Sequence, residues 1–208
     1  MTIVFVIVTS IISVFCFSNH EWSEKLRFNP YKVYHKKEYY RLITHGFIHA
    51  DWMHLIINML VLFSFGSALE LYFTELKNTE ILKYNPSIYY IILYLSALVI
   101  SSLTTLKKYK DDYNYNAVGA SGAVSTVLFA CIFFNPWQKL LFWAIIPVPG
   151  ILFGVLYLWY SQYMSKRSND NINHDAHFLG ALYGLTFPVL LEPRLFYVFF
   201  NQLIHFKI

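Results

Sequence analysis

Residues 118–134 read Val-Gly-Ala-Ser-Gly-Ala-Val-Ser-Thr-Val-Leu-Phe-Ala-Cys-Ile-Phe-Phe, an uncharged run whose first half is almost entirely small residues. It is short for a membrane span, which takes about 20 residues. Short, small-residue helices of this kind usually pack inside a bundle with little lipid contact. Five more apolar segments flank it, at 2–17, 53–71, 88–106, 140–160 and 176–191. The sixth, 176–191, is also short and rich in small residues. Helices are the default for such runs, because a spanning segment must satisfy its own backbone hydrogen bonds. A closed barrel would instead show alternating segments of about ten residues. The fold class expected is an all-α membrane protein, a bundle of six transmembrane helices in one domain over residues 1–208.

Composition supports this. The 208 residues are 57% hydrophobic and only 13% charged, whereas soluble domains carry about a quarter charged residues. Mean hydropathy is +0.44. Six spans with short loops fill the chain, so any chemistry must sit inside the bundle. Cys16 and Cys131 lie in apolar runs and read as small buried hydrophobes, not as a disulfide or metal pair. The net charge of +4 is spread over several loops. No basic tract supports a nucleic-acid partner.

The first segment has the length of a signal peptide, but no Lys or Arg precedes it and no clear cleavage site follows, so it reads as a retained helix. The polar stretch 19–52 holds Trp22, Phe28, Tyr31, Tyr34, Tyr39, Tyr40, Phe47 and Trp52. Aromatics belong at the membrane interface, so this loop is expected to be ordered and partly within the bilayer. Leu195 to Ile204 is apolar but too short to span, and an interfacial helix is the plain reading.

Three constellations stand out, since polar groups at membrane depth are costly and mark function by default. The first is Gly119-Ala-Ser121-Gly122. A serine hydroxyl needs a neighbouring base to become a nucleophile. Glycine and alanine on both sides leave Ser121 uncrowded, and N–H groups at a helix start lack intrahelical partners and can receive an oxyanion. The second is His177 in Ala176-His177-x-x-Gly180-x-x-x-Gly184. Positions 177, 180, 181 and 184 share one helix face, and the two glycines let a partner helix approach closely, as a Ser–His bond across helices requires. The third is the run His45, His49, His54, Asn58. His54 and Asn58 are four apart on one face, and an Asn amide is a neutral donor suited to an oxyanion. No acidic residue lies at a depth to orient His177, and Asp175 reads as a marker of its helix start, which suggests a dyad.

Each piece has a plainer reading. Small residues around a serine are ordinary packing devices, and a lone buried histidine is more often a hydrogen-bonded core residue. His45, His49 and His54 could supply three nitrogens to zinc, although no His-Glu-x-x-His occurs.

Taken in order along nearly the whole chain, the motifs resemble the rhomboid family of intramembrane serine proteases. Tyr40-Arg41-x-x-x-His45 resembles its first-loop Trp-Arg motif, with Tyr40 in place of Trp. His45, His49, His54 and Asn58 match its histidine run, Gly66 and Glu70 the far end of that helix, Gly119 to Gly122 its nucleophile motif, and 176–184 its histidine helix. The resemblance implies a Ser121–His177 dyad with His54, Asn58 and the Ser121 N–H as oxyanion hole. Gly119, Gly122, Gly180, Gly184 and His49 would support the site, and Arg41, His45 and Glu70 would be structural. It further implies six core helices, a water-filled site facing the cell exterior, single-span membrane proteins as substrates, and neither cofactor nor metal. A compact multi-pass chain of this size is expected in a bacterial cell membrane.

Two features depart from the pattern. One turn beyond Ser121, where some members set an aromatic against the histidine, the chain has Ser125. With both termini in the cytoplasm, the outer loops carry 11 Lys and Arg against 5 inside, opposite to the positive-inside tendency. Two other classes compete: a rhomboid-like protein that binds membrane clients without cutting them, and a small transporter using the same polar groups.

Overall fold

In a computed structural model, which describes residues 1–142, 145–167 and 172–205, the first helix is built inside out. Helix α1 (Thr2–Phe17) buries Thr2, Thr9, Ser13 and Cys16 and exposes Ile3, Val4, Ile7, Ile11 and Phe15. In a membrane this pattern is favourable: the apolar face meets lipid, while the small and hydroxyl residues pack and hydrogen-bond within the bundle. Thr2 donates to the Tyr90 hydroxyl at 2.9 Å and Ser13 to the Phe47 carbonyl at 3.0 Å.

The aromatic loop is ordered, as expected. It forms α2 (His20–Leu26), α3 (Pro30–Lys36) and α4 (Arg41–Thr44), then a single 3-10 turn at His45–Phe47. A two-way backbone bridge ties Phe28 to Ala117.

Helix α5 (Trp52–Asn78) starts where the Asp51 carboxylate accepts the His54 N–H, and α6 (Pro86–Tyr109) starts on Asn85 with Pro86 in its first turn. Both extend past the expected segments 53–71 and 88–106; α5 continues because Phe73 and Leu76 still bury against the bundle. Among the described helices these two are long and apolar enough to cross a membrane on their own.

Helix α7 (Ser121–Phe134) begins three residues later than the expected 118, because Gly119 takes φ +116°, which no helix accommodates. Every residue from Gly122 to Phe133 is buried, which makes α7 the central helix.

The expected helix over 140–160 is a correction. Strands β1 (Lys139–Phe142) and β2 (Ile146–Pro149) pair antiparallel, and α8 (Gly150–Ser165) starts only afterwards. Pro147 and Pro149 lack the N–H a helix interior needs, and in a two-stranded ribbon they cost no ladder bond. Among the described residues the fold is therefore mostly helical, as expected, with one short two-stranded ribbon added. Residues 143–144 of that segment lie outside the described residues.

Helix α9 (His174–Leu191) replaces the expected 176–191, and its cap is the Asn173 side chain, which accepts the Ala176 N–H at 3.1 Å. Asp175 does not cap it; it pairs with Lys108 Nζ at 3.4 Å. Helix α9 is less enclosed than its small residues suggest, since Leu182 and Leu190 are exposed.

Helix α10 (Leu195–Ile204) folds back onto the bundle. Leu195 is buried, Phe199 stacks on Phe133 with centroids 4.8 Å apart, and Trp137 Nε1 donates to the Gln202 carbonyl. Residues 206–208 of that apolar C-terminal stretch lie outside the described residues.

Candidate active site

Helices α7 and α9 run parallel and touch backbone to backbone. A β-carbon on Gly180 would overlap the Gly122 carbonyl, and one on Gly184 would overlap the Thr126 carbonyl. Thr126 Oγ1 lies 2.8 Å from the Gly180 carbonyl, a hydrogen bond across the same seam. The register 122 to 180 and 126 to 184 brings the first turn of α9, with His177, beside the first residue of α7, Ser121. The glycine spacing read from the sequence thus defines this contact.

Ser121 and His177 line one cavity of about 1440 Å³ together with His49, His54, Asn58, Ser125 and Tyr157. Its upper rim is polar, with Arg27, Lys108 and Asp175, while Val61, Leu128 and Phe153 line its floor. The C-terminal ends of α1, α6 and α8 meet the N-terminal ends of α5, α7 and α9 at this rim. The Lys- and Arg-rich loops are therefore at the cavity end of the bundle. The positive-inside tendency and the outward-facing site implied by the resemblance pull in opposite directions on this chain.

The wall opposite His177 is a short relay. Ser13 Oγ donates its only proton to the Phe47 carbonyl, so at 2.9 Å from His49 Nδ1 it must accept. That assigns the proton to Nδ1 and leaves Nε2 to accept the Ala120 N–H at 3.5 Å. Burial pushes His49 down to about 3, aided by the neighbouring His54, so it is neutral at ordinary pH. His54 stands edge-on to His49, with centroids 4.9 Å apart. Its ring also fills the space beside Gly119, where a β-carbon would come within 2.6 Å of Cε1. Asn58 Nδ2 donates to the His54 carbonyl at 2.8 Å. One of the two amide protons is thereby committed, and the second is available.

His177 meets an aromatic that the sequence did not disclose. Tyr157 of α8 stacks on it with centroids 6.3 Å apart and planes 23° apart. The Tyr157 hydroxyl lies 2.6 Å from Ser125 Oγ, one turn below Ser121. His174, one turn before His177, is buried and stands edge-on to it at 6.0 Å.

The remaining sequence candidates lie outside the cavity. Arg41, 3% exposed, donates to Glu38 and to the Glu24 and Arg27 carbonyls, pinning the loop. His45 reaches Ser102 Oγ at 3.2 Å, and its own carbonyl accepts the Gly119 N–H at 3.0 Å. Burial lowers its pKa to about 4. Glu70 accepts the Thr2 N–H at the far end of α5, and Gly66 leaves room there for Tyr90 and Thr2. Of the three imidazoles considered as a zinc set, His45 turns to Ser102 and His49 to Ser13 and Ala120, while His54 packs edge-on against His49 and beside Gly119.

Sequence reading missed Ser13 and Tyr157 and noted Ser125 without its partner. Only Ser125 carried a signal, as the departure one turn beyond Ser121.

These elements define a class. A family model described as the Rhomboid domain matches residues 36–194, and the chain belongs to the rhomboid family of membrane proteins. It is 30% identical over 143 residues to the mitochondrial RHOMBOID-like protein 12 of Arabidopsis thaliana, an alignment covering 67% of this chain. The chain spans 43% of that relative's length. The name places that relative in the mitochondrion and lends no support to the bacterial membrane expected from chain size.

Proposed function

We propose that this chain is an intramembrane serine endopeptidase in which Ser121 is the nucleophile and His177 the general base. The observation that carries the reading is the glycine seam of α7 and α9, which sets both side chains on one polar cavity. It rests on register and shared lining, not on a Ser–His hydrogen bond. His177 takes the Ser121 proton as Oγ attacks the scissile carbonyl, then gives it to the leaving amine; water completes the cycle by hydrolysing the acyl-enzyme. The Ser121 N–H, the free Asn58 amide proton and His54 receive the oxyanion. The Ala120 N–H, turned to His49, is not among these donors.

In this reading α1, α5, α6, α7, α8 and α9 are six core spans of a single domain. At 14 residues, α7 is about 21 Å long, short of a hydrocarbon core of about 30 Å, so it starts below the membrane surface. Ser121 is then at depth, reached by water through the cavity. The substrates are single-span membrane proteins cut in or near the spanning segment, and no cofactor or metal is needed.

The test is labelling of detergent-solubilised protein with a fluorescent fluorophosphonate. Wild type should label, while Ser121→Ala should not. His177→Ala should lose on the order of 10³-fold in rate, as expected for a missing general base. A folded wild type that stays unlabelled, and that captures membrane clients without cutting them, would replace this reading with the client-binding one.

A further inference from the structure

We propose that Tyr157 is the positioning residue of the site, holding the His177 imidazole in line with Ser121 and doing so from α8. The inference rests on the serine-protease reading above. A general base must be held against rotation about its Cβ–Cγ bond to keep its ring nitrogen on the nucleophile. A flat ring stacked on one face does this without adding charge at membrane depth.

The geometry suits that task. Tyr157 is itself clamped, with Phe129 of α7 at 5.4 Å and Phe153 one turn earlier on α8 at 5.8 Å between centroids. Its hydroxyl is tied to Ser125 Oγ at 2.6 Å, and Ser125 is buried on α7. One side chain therefore links the helix of the nucleophile to the helix of the base. An aromatic at position 125 would crowd the space that Tyr157 now fills; a serine there provides a hydrogen-bond partner instead. The departure at Ser125 and the stacked Tyr157 are thus two halves of one arrangement. Helix α8 buries Gly150, Gly154 and Ser161, and Tyr157 is half-buried. The glycine at 154 lets α8 approach Phe129, where a β-carbon would lie 3.3 Å from that ring.

The test compares wild type, Tyr157→Phe, Tyr157→Leu and Ser125→Ala by fluorophosphonate labelling rate and by the split between kcat and KM on a membrane-protein substrate. Tyr157→Leu should lower the labelling rate and kcat by about 10- to 100-fold, the cost of a misplaced catalytic group, with KM within about two-fold of wild type. Tyr157→Phe keeps the stack and loses only the bond to Ser125. It should restore most of that rate, staying within the few-fold that one neutral hydrogen bond supports, and Ser125→Ala should match it. Labelling of Tyr157→Leu at the wild-type rate overturns the proposal, as does a loss confined to KM. If Tyr157→Leu melts below wild type, its labelling rate per folded protein, taken well under its own melting midpoint, decides: a loss of about 10- to 100-fold supports the proposal and the wild-type rate overturns it. An unlabelled wild type overturns the serine-protease reading and this proposal with it; a labelled wild type with insensitive Tyr157 variants overturns this proposal alone.

Discussion

The carbonyl oxygen of Gly122 fills the space that a β-carbon on Gly180 would need. Backbone cannot rotate away as a side chain can, so Gly180→Ala must push α9 off α7. Overpacking of this kind costs about 1–3 kcal/mol, and it should lower both the melting midpoint and the rate of Ser121 labelling. Gly122→Ala meets Ser101 of α6 instead; the hydroxyl can turn, but Ser101 Cβ, 2.7 Å from the added carbon, cannot, so this variant should lower the melting midpoint too. A Gly180→Ala protein that melts and labels like wild type would refute the seam.

Ser13→Ala should reach the site from α1. The His49 Nδ1–H would lose its buried acceptor, costing about 1–3 kcal/mol, and His49 would no longer be held in the tautomer that receives the Ala120 N–H. A lowered melting midpoint together with a few-fold slower labelling is the expected result. A change in melting alone would mean the relay does not reach Ser121.

Arg41→Lys keeps the charge and should still destabilise. The guanidinium serves Glu38 and two carbonyls from one planar fork, and a single ammonium cannot span that set. A loss of about 3–6 kcal/mol is expected from two charge-assisted bonds, read as a drop in melting midpoint. Arg41→Lys melting like wild type would show the loop to be held elsewhere.

Acid should destabilise the protein through its buried histidines. Burial lowers His45 to about 4 and His49 to about 3, against an ordinary 6.5. As pH falls below 6.5 the unfolded chain binds protons that the folded chain refuses, so stability is full above that value. It declines until the folded histidines protonate in turn, at about 4 and about 3. By pH 5 each contributes a loss of about 2 kcal/mol, measurable as a falling melting midpoint between pH 7.5 and 5. His49→Gln should flatten that dependence, and an unchanged slope would point to other groups.

Much of this protein is legible along the chain, because apolar runs and small-residue spacing are local properties. The uncharged run after Gly119 determines a buried central helix, and glycines four apart at 180 and 184 determine the face α9 turns to it. His54 and Asn58 fall on one face of α5 by the same periodicity. Strands β1 and β2 escaped this reading: the apolar composition suggested a helix, although Pro147 and Pro149 lack the N–H that its interior needs. The tertiary structure alone decided that Ser13 of α1 holds the proton of His49, that Asn173 and not Asp175 caps α9, and that Tyr157 stacks on His177 while its hydroxyl meets Ser125. Such pairings depend on how far each helix is rotated and how deep it sits relative to its neighbours. Periodicity identifies the inward face of one helix; only the packing of all of them determines which side chain on another helix stands opposite.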